Sequence, residues 1–478
     1  MAKRYTFTEK GCSIFGSFET FNRVLYGGHN GDDSPDRFFT FAGDTPLFMG
    51  ATSDFMRDTW CYQAKNGLLL SGLCMTPGFT ENPARDIYGK YFHRSEDIGC
   101  VWHHGFLTYR LSQFSSYFPA VDVRITVLPL QEEDGFIVSY DITTDQRLFF
   151  AAGFGGVTMP FGRFEYHSSS RKDYSPSDSN GNHAELLSCG AAVEGHGTKM
   201  LIGSSFNALW ELDAPDALTE PTPSTLLNAH EGEKCVAKCR YELKPGERFT
   251  GKLIILKNSS EARLLELLHD EELEHKTRNG IRKKYAASFM QTPEVVLNSV
   301  FSDLQIALDA AFHGNTFYHG AIGYHAPFLG WRGWYGNALT GPQERVRKAI
   351  LTHFDTMLFS DQPEKVWYDG ADRPDLDHVG TQYHHLENPS GRIPALLHRD
   401  DIYDMQQVAV DMTLFYLEAT GDLATGKAIY ERLEAQLDHQ ERIYEPDGDG
   451  IYQSFLKPWI SDGQCYNGGG WSQASSYN

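Results

Sequence analysis

Asp462 stands between two indoles in the stretch "PWISDGQCYNGGGW", with Trp459 before it and Trp471 after a run of three glycines. Glycine lets a backbone come close to a ligand. A carboxyl group set among apolar rings is harder to ionise, which is what a general acid needs near neutral pH. Asp462 is therefore the candidate catalytic acid. Breaking a glycosidic bond calls for such an acid and a second carboxylate, acting as base or nucleophile across the scissile oxygen.

Two further stretches carry the residue types that would hold a sugar. "TFYHGAIGYHAPFLGWRGWYGNALTG" (Thr316 to Gly341) contains His325, Trp331, Arg332, Trp334 and Tyr335. Loops longer than about 12–15 residues are uncommon unless they are functional or disordered, and this one is too aromatic for disorder. Flat rings suit the C–H faces of sugars, and Arg and His supply donors to hydroxyls. The alternative is that the rings pack over the end of a helical array. The stretch from Asp361 to Asp404 offers Glu387, Asp400 and Asp401 as carboxylates, with His384, His385 and Arg392 among them. Asp400 and Asp401 directly precede a helical pattern, where N-capping competes with chemistry. The candidate substrate-binding set is thus Trp331, Arg332, Trp334, Tyr335, His325, Glu387, Asp400, Asp401, Trp459 and Trp471. The three stretches are expected to converge at one end of the helices that follow them.

No metal or cofactor is expected. Asp447 and Asp449 sit in "PDGDGIY", but the glutamate of a calcium loop does not follow, so a tight turn is the better reading. Cys235 and Cys239 have no His/Cys partner set, and read as buried thiols in a strand.

The elements that must position these residues fall in two halves. Up to about residue 256 apolar and polar residues alternate, as in "VDVRITVLPL" and "FIVSYDITT", with Gly, Asp, Asn and Pro clusters between the runs. This predicts an antiparallel β-sandwich over 1–256. From Ser259 the period changes to that of helices, with a serine cap and acidic residues in the first turn. Linker helices are expected over 257–292 and a helical array over 293–478.

The chain has 478 residues, with 42 Lys and Arg against 63 Asp and Glu, and a net charge of −21. That acidity disfavours nucleic acid and anionic membranes as partners. No apolar run approaches the ~18 residues of a membrane span. The N-terminus lacks a signal-peptide pattern. The sequence as written therefore reads as cytoplasmic, or as periplasmic or secreted if a leader has been removed. Aromatic residues make up 13% of the chain, which fits a sugar-binding protein and an aromatic core equally.

The order of sandwich, linker helix and helical array resembles the six-hairpin, or (α/α)6, glycosidases. The stretches "FNRVLYGGHNGDDSPDRFFTFAGDTPLFM", "GWRGWYG" and "DGQCYNGGGWSQASSYN" more specifically resemble an uncharacterised bacterial family of that architecture. The resemblance implies an incomplete (α/α)6 toroid after the sandwich, the chain stopping about halfway round, with the catalytic base beyond Asn478. It places Asp462 where the glycosidases carry their acid loop, although the glutamate-rich motif common there is missing. The activity it implies is inverting hydrolysis of an oligo- or polysaccharide in the complete protein, this piece being inactive alone. A phosphorylase of the same fold, or a non-catalytic carbohydrate-binding protein, is the alternative. A polysaccharide lyase would place its toroid first.

Overall fold

The computed structural model describes the strands between residues 5 and 92, then 97–155, 176–285, 290–317, 333–359, 390–394 and 405–444, apart from scattered positions within these runs and a few isolated ones outside them. The first half is built of β1 (Tyr5–Thr8), β2 (Gly11–Gly16), β3 (Leu47–Phe48), β4 (Thr59–Gln63), β5 (Leu70–Met75), β6 (Gly78–Thr80), β7 (Lys90–Tyr91), β8 (Asp97–Trp102) and β9 (Leu107–Gln113). It continues with β10 (Val121–Pro129), β11 (Gly135–Thr144), β12 (Leu148–Gly155), β13 (His183–Leu186), β14 (Gly190–Gly195), β15 (Thr198–Ser204), β16 (Leu209–Asp213), β17 (Val236–Leu243) and β18 (Arg248–Lys257). One sheet runs β1-β2-β8-β9-β10-β11-β18-β15-β14-β13, and the other runs β16-β17-β12-β5-β4-β3 with β6 and β7 attached beside β12. The pairs are antiparallel throughout, as between β10 and β11, where Val121 faces Thr144 and Pro129 faces Phe136.

Alternation along β10 explains its placement. Val121, Val123, Ile125 and Val127 enter a core shared by the two sheets, together with Phe150, Phe154 and Cys239 from the second sheet. Asp122 and Arg124 point to solvent. Further along, the alternation stops because the second face is covered as well. Leu128, Ile137, Ile254 and Leu256 pack under Leu264, Leu267 and Leu268 of α2 (Glu261–His269) and Ile281 of α3 (Leu273–Tyr285). Each such buried aliphatic side chain contributes about 2 kcal/mol of transfer free energy. The helix sits so near β15 that a Cβ on Gly203 would come within 2.9 Å of Leu268. Helix α2 begins as the sequence predicts, with the Ser260 hydroxyl accepting from the Arg263 amide at 3.2 Å and Glu261 in its first turn. The outer face of the second sheet is covered by the short helix α1 (Pro223–Leu226) and the turn before it, through Leu218, Leu226 and Val236. Cys235 and Cys239 are both buried and carry free thiols.

Chain contacts divide the protein into two compact units, 1–310 with 321–324, and 311–320 with 325–478. The helix α4 (Val295–Ala310) groups with the first. The second contains α5 (Gly333–Thr340), α6 (Gln343–Asp355), α7 (Met405–Thr420) and α8 (Leu423–Tyr444). It also contains one element that the helical period gave no sign of, a two-stranded hairpin of β19 (Phe312–His313) and β20 (Thr316–Phe317). The described helices do not by themselves trace a toroid. None of them is long and apolar enough to cross a membrane.

Candidate functional site

Helix α7 follows the second long stretch that the sequence singles out, whereas the first, Thr316 to Gly341, is not all loop: it begins in β20 and its last part is helix α5. Two tight corners fix the hairpins of α5 with α6 and of α7 with α8. At the first, Gly341 follows α5 so closely that a Cβ would meet the Asn337 side chain at 2.5 Å. At the second, Gly421 has φ +68 and its amide donates to the Leu417 carbonyl at 2.9 Å. This left-handed cap is a conformation that glycine adopts without strain. Asp422 then caps α8, accepting from the Thr425 amide at 3.0 Å, and also accepts from the Tyr416 hydroxyl at 2.8 Å. Burial and that hydrogen bond push the Tyr416 phenol up to about 12.

Trp334 and Tyr335 are adjacent in α5 and point in different directions, as neighbours about 100° apart on a helix must. Trp334 is 1% exposed and lies against His353 of α6, ring centroids 5.7 Å apart. Its ring is enclosed, so it fills the core of the helical unit and presents no face to a sugar. This corrects the expectation that it lines an open cleft. His353 is itself fully buried, and its Nε2 meets Thr316 Oγ1 of β20 at 2.7 Å. Burial pushes its imidazole down to about 3, so it is neutral near pH 7. The hairpin that carries Thr316 is held by Phe312 and Phe317, whose rings meet at 5.0 Å, with the Arg345 guanidinium 5.0 Å from the Phe312 centroid.

Tyr335 is half-buried and faces α7. Its hydroxyl donates to Oδ2 of Asp411, and its ring meets Phe415 edge-on at 5.1 Å. Asp411 is exposed. The sequence reading did not include it, although one signal was present: it is the first charged residue in the run "MQQVAVDMTLFYLE". Elsewhere in this unit, Gly391 has φ +86, and a Cβ there would come within 2.1 Å of the Ala435 carbonyl oxygen. Arg392 is 6% exposed and His439 is fully buried. Burial, then the charges of Arg392 and Arg442, push His439 down to about 3.

The remaining candidates, Asp462, Trp331, Arg332, His325, Glu387, Asp400, Asp401, Trp459 and Trp471, lie outside the described residues, as does the expected convergence of the three stretches.

The first unit holds a charge cluster that sequence reasoning missed altogether. Asp213, 1% exposed at the end of β16, accepts from His230 Nδ1 at 2.9 Å, Lys234 Nζ at 2.9 Å and Lys238 Nζ at 2.5 Å. Burial alone would raise its pKa, but those hydrogen bonds and one from the Ala214 amide outweigh it and hold the carboxyl well below its usual range. His230 Nε2 reaches Glu220 at 3.1 Å. Lys238 also donates to the Asn228 carbonyl at 2.6 Å. The cluster ties the excursion between β16 and β17 to the sheet edge.

No protein-family profile matches the chain, and no curated protein matches it in sequence. Solved structures do. A human-microbiome protein named as a kojibiose phosphorylase superposes with a TM-score of 0.54, at 9% identity, over 88% of this chain and 58% of its own. A bacterial glucoamylase solved with acarbose gives 0.49, at 9% identity, over 85% of this chain and 61% of its own. A family GH92 α-mannosidase from Bacteroides thetaiotaomicron gives 0.31, at 11% identity, over 87% and 55%. The last two scores are too low to define a shared fold. The chain spans about three fifths of the length of the first two structures. The comparison establishes a fold of antiparallel sheets followed by helices, distantly similar to that of the kojibiose phosphorylase-named structure.

Proposed function

We propose that the chain is part of an enzyme that cleaves a glycosidic bond in an oligo- or polysaccharide. The observation that carries this reading is the fold likeness to the kojibiose phosphorylase-named structure over 88% of the chain. In this reading Asp462 protonates the departing oxygen, and a second carboxylate activates water from the opposite face. In inverting enzymes the two stand ~6.5–9.5 Å apart. Trp331, Arg332, Trp459 and Trp471 bind the sugar, and Glu387, Asp400 and Asp401 hold its hydroxyls. Tyr335 joins them from the first turn of α5, whereas Trp334 supports that turn from within.

Phosphorolysis is the second reading, favoured by the name of that same structure. There phosphate takes the place of the activated water, and the product is a sugar 1-phosphate. One experiment separates the readings. The complete protein is incubated with neutral disaccharides, with and without inorganic phosphate. Free reducing sugar formed without phosphate supports hydrolysis, and sugar 1-phosphate formed only with phosphate supports phosphorolysis. Sugar binding with no turnover under either condition would leave a carbohydrate-binding protein. For the acid role, Asp462→Asn should lower kcat by several orders of magnitude with a poor leaving group, and much less with one that departs unprotonated. An equal loss with both would remove Asp462 from that role.

A further inference from the structure

We infer that Asp411, held in place by Tyr335, is a hydroxyl-accepting carboxylate that selects a neutral sugar. The inference rests on the glycoside reading above and deepens it. Spacing brings the group together. Tyr335 and Leu339 lie one turn apart on α5, and Asp411, Leu414 and Phe415 lie one turn apart on α7. The Tyr335 hydroxyl donates to Asp411 Oδ2, and the Tyr335 and Phe415 rings brace one another at 5.1 Å. Leu339 is 64% exposed and Leu414 46%.

Asp411 has none of the usual tasks of a carboxylate on a helix surface. It is the seventh residue of α7, too far along to cap or to complement the N-terminal dipole. Positions three and four residues away hold Val408, Leu414, Gln407 and Phe415, so no cation is placed to pair with it along the helix. Among the described residues its only hydrogen bond or ion pair is that with Tyr335. A carboxylate has about four lone-pair directions. The tyrosine takes one, and the exposed remainder can accept from sugar hydroxyls. A carboxylate that has no cation beside it among the described residues repels a uronate, and exposed leucines next to aromatic edges suit the C–H side of a pyranose. The group therefore matches a neutral sugar and disfavours an anionic one. Asp411 would touch the sugar, while Tyr335 fixes the carboxylate's rotamer.

The test measures binding to the full chain by calorimetry, with kojibiose and maltose as neutral probes and digalacturonate as the anionic one. The wild type should bind a neutral probe and not digalacturonate. Asp411→Asn should weaken neutral binding by about tenfold, the loss expected for one charge-assisted hydrogen bond. Tyr335→Phe should weaken it less, and both variants should keep the wild-type thermal midpoint. Asp411→Lys should admit digalacturonate, a change that a purely structural role would not produce. If the wild type binds neutral sugar and Asp411→Asn binds it equally well, the Asp411 assignment fails and the glycoside reading stands. If digalacturonate binds the wild type as tightly as the neutral probes, the selection for neutral sugar fails. If no probe binds the wild type, both the assignment and the reading fail.

Discussion

Trp334 and Tyr335 are neighbours in sequence with opposite fates, and the difference can be measured. Removing the enclosed Trp334 ring leaves a cavity against His353, and Phe or Trp to Ala at such sites costs about 3–5 kcal/mol. Trp334→Ala should therefore lower the urea midpoint of the helical unit sharply, where a ring serving only to stack on sugar would leave it unchanged. His353 and His439 add a pH dependence. Burial pushes both down to about 3, against an ordinary value of 6.5. Between those values the unfolded chain binds protons that the folded chain refuses. Stability is thus complete above about pH 6.5 and falls as pH drops towards 3, by about 1.4 kcal/mol per pH unit for each group. The protection of α6 amides against hydrogen exchange, corrected for the intrinsic exchange rate at each pH, should fall between pH 7 and pH 5 in the wild type. His353→Gln should flatten part of that slope, and an unchanged slope would show that His353 does not carry it. Asp213 acts in a lower window. Its depressed carboxyl contributes stability above its ordinary value of 3.8, which is lost only as pH falls below it.

At the scale of elements, the α7–α8 corner depends on one side chain. Asp422 holds the Thr425 amide and the Tyr416 hydroxyl at once. Loss of such a cap costs about 1–2 kcal/mol. Asp422→Ala should fray the first turn of α8, seen as faster exchange at Thr425 and Gly426, while Asp422→Asn should retain most of the protection. Much of this level was legible in the sequence. The Ser260 cap and the alternation in β10 could be read directly, because each is set by neighbours within a few positions. What covers a face could not. The run Leu128–Pro129–Leu130 loses its alternation because α2 and α3 pack over it from more than a hundred residues away. The same limit applies at the candidate site. Which of Trp334 and Tyr335 turns inward depends on the position of His353, and Asp411 gains its meaning only when α7 lies beside α5. The β19–β20 hairpin was hidden because its strands are two residues each, too short for any period to register.

At the scale of the whole molecule, the two compact units are built on different physics. The first has sheets made of long-range pairings, a core between them, and helices packed on the outer face of each sheet. The second is made largely of helix hairpins, whose cores rest on residues such as Trp334, Ile350, Phe354, Met412 and Ile429. Each unit buries its own apolar residues, and units of this kind commonly unfold separately. Calorimetry of the full chain at pH 7.5 should therefore show two transitions. Trp334→Ala should lower the transition of the helical unit and leave that of the sheets in place. Opening the Asp213 cluster with Lys238→Met removes one of the three side-chain partners of a buried carboxylate, a change that costs at most about 3–5 kcal/mol because His230 and Lys234 remain, and should do the reverse. Acidification from pH 7 to pH 5 should lower the helical transition through His353 and His439, and the sheet transition to a smaller extent through His103, whose imidazole is pushed down to about 4 by burial and then by the Arg278 charge, whereas Asp213 remains ionised over that range. One cooperative transition, shifted alike by both substitutions, would mean that the units stand or fall together. The proposed sugar site on α5 and α7 would then depend on the sheets for its stability as well as on its own helices.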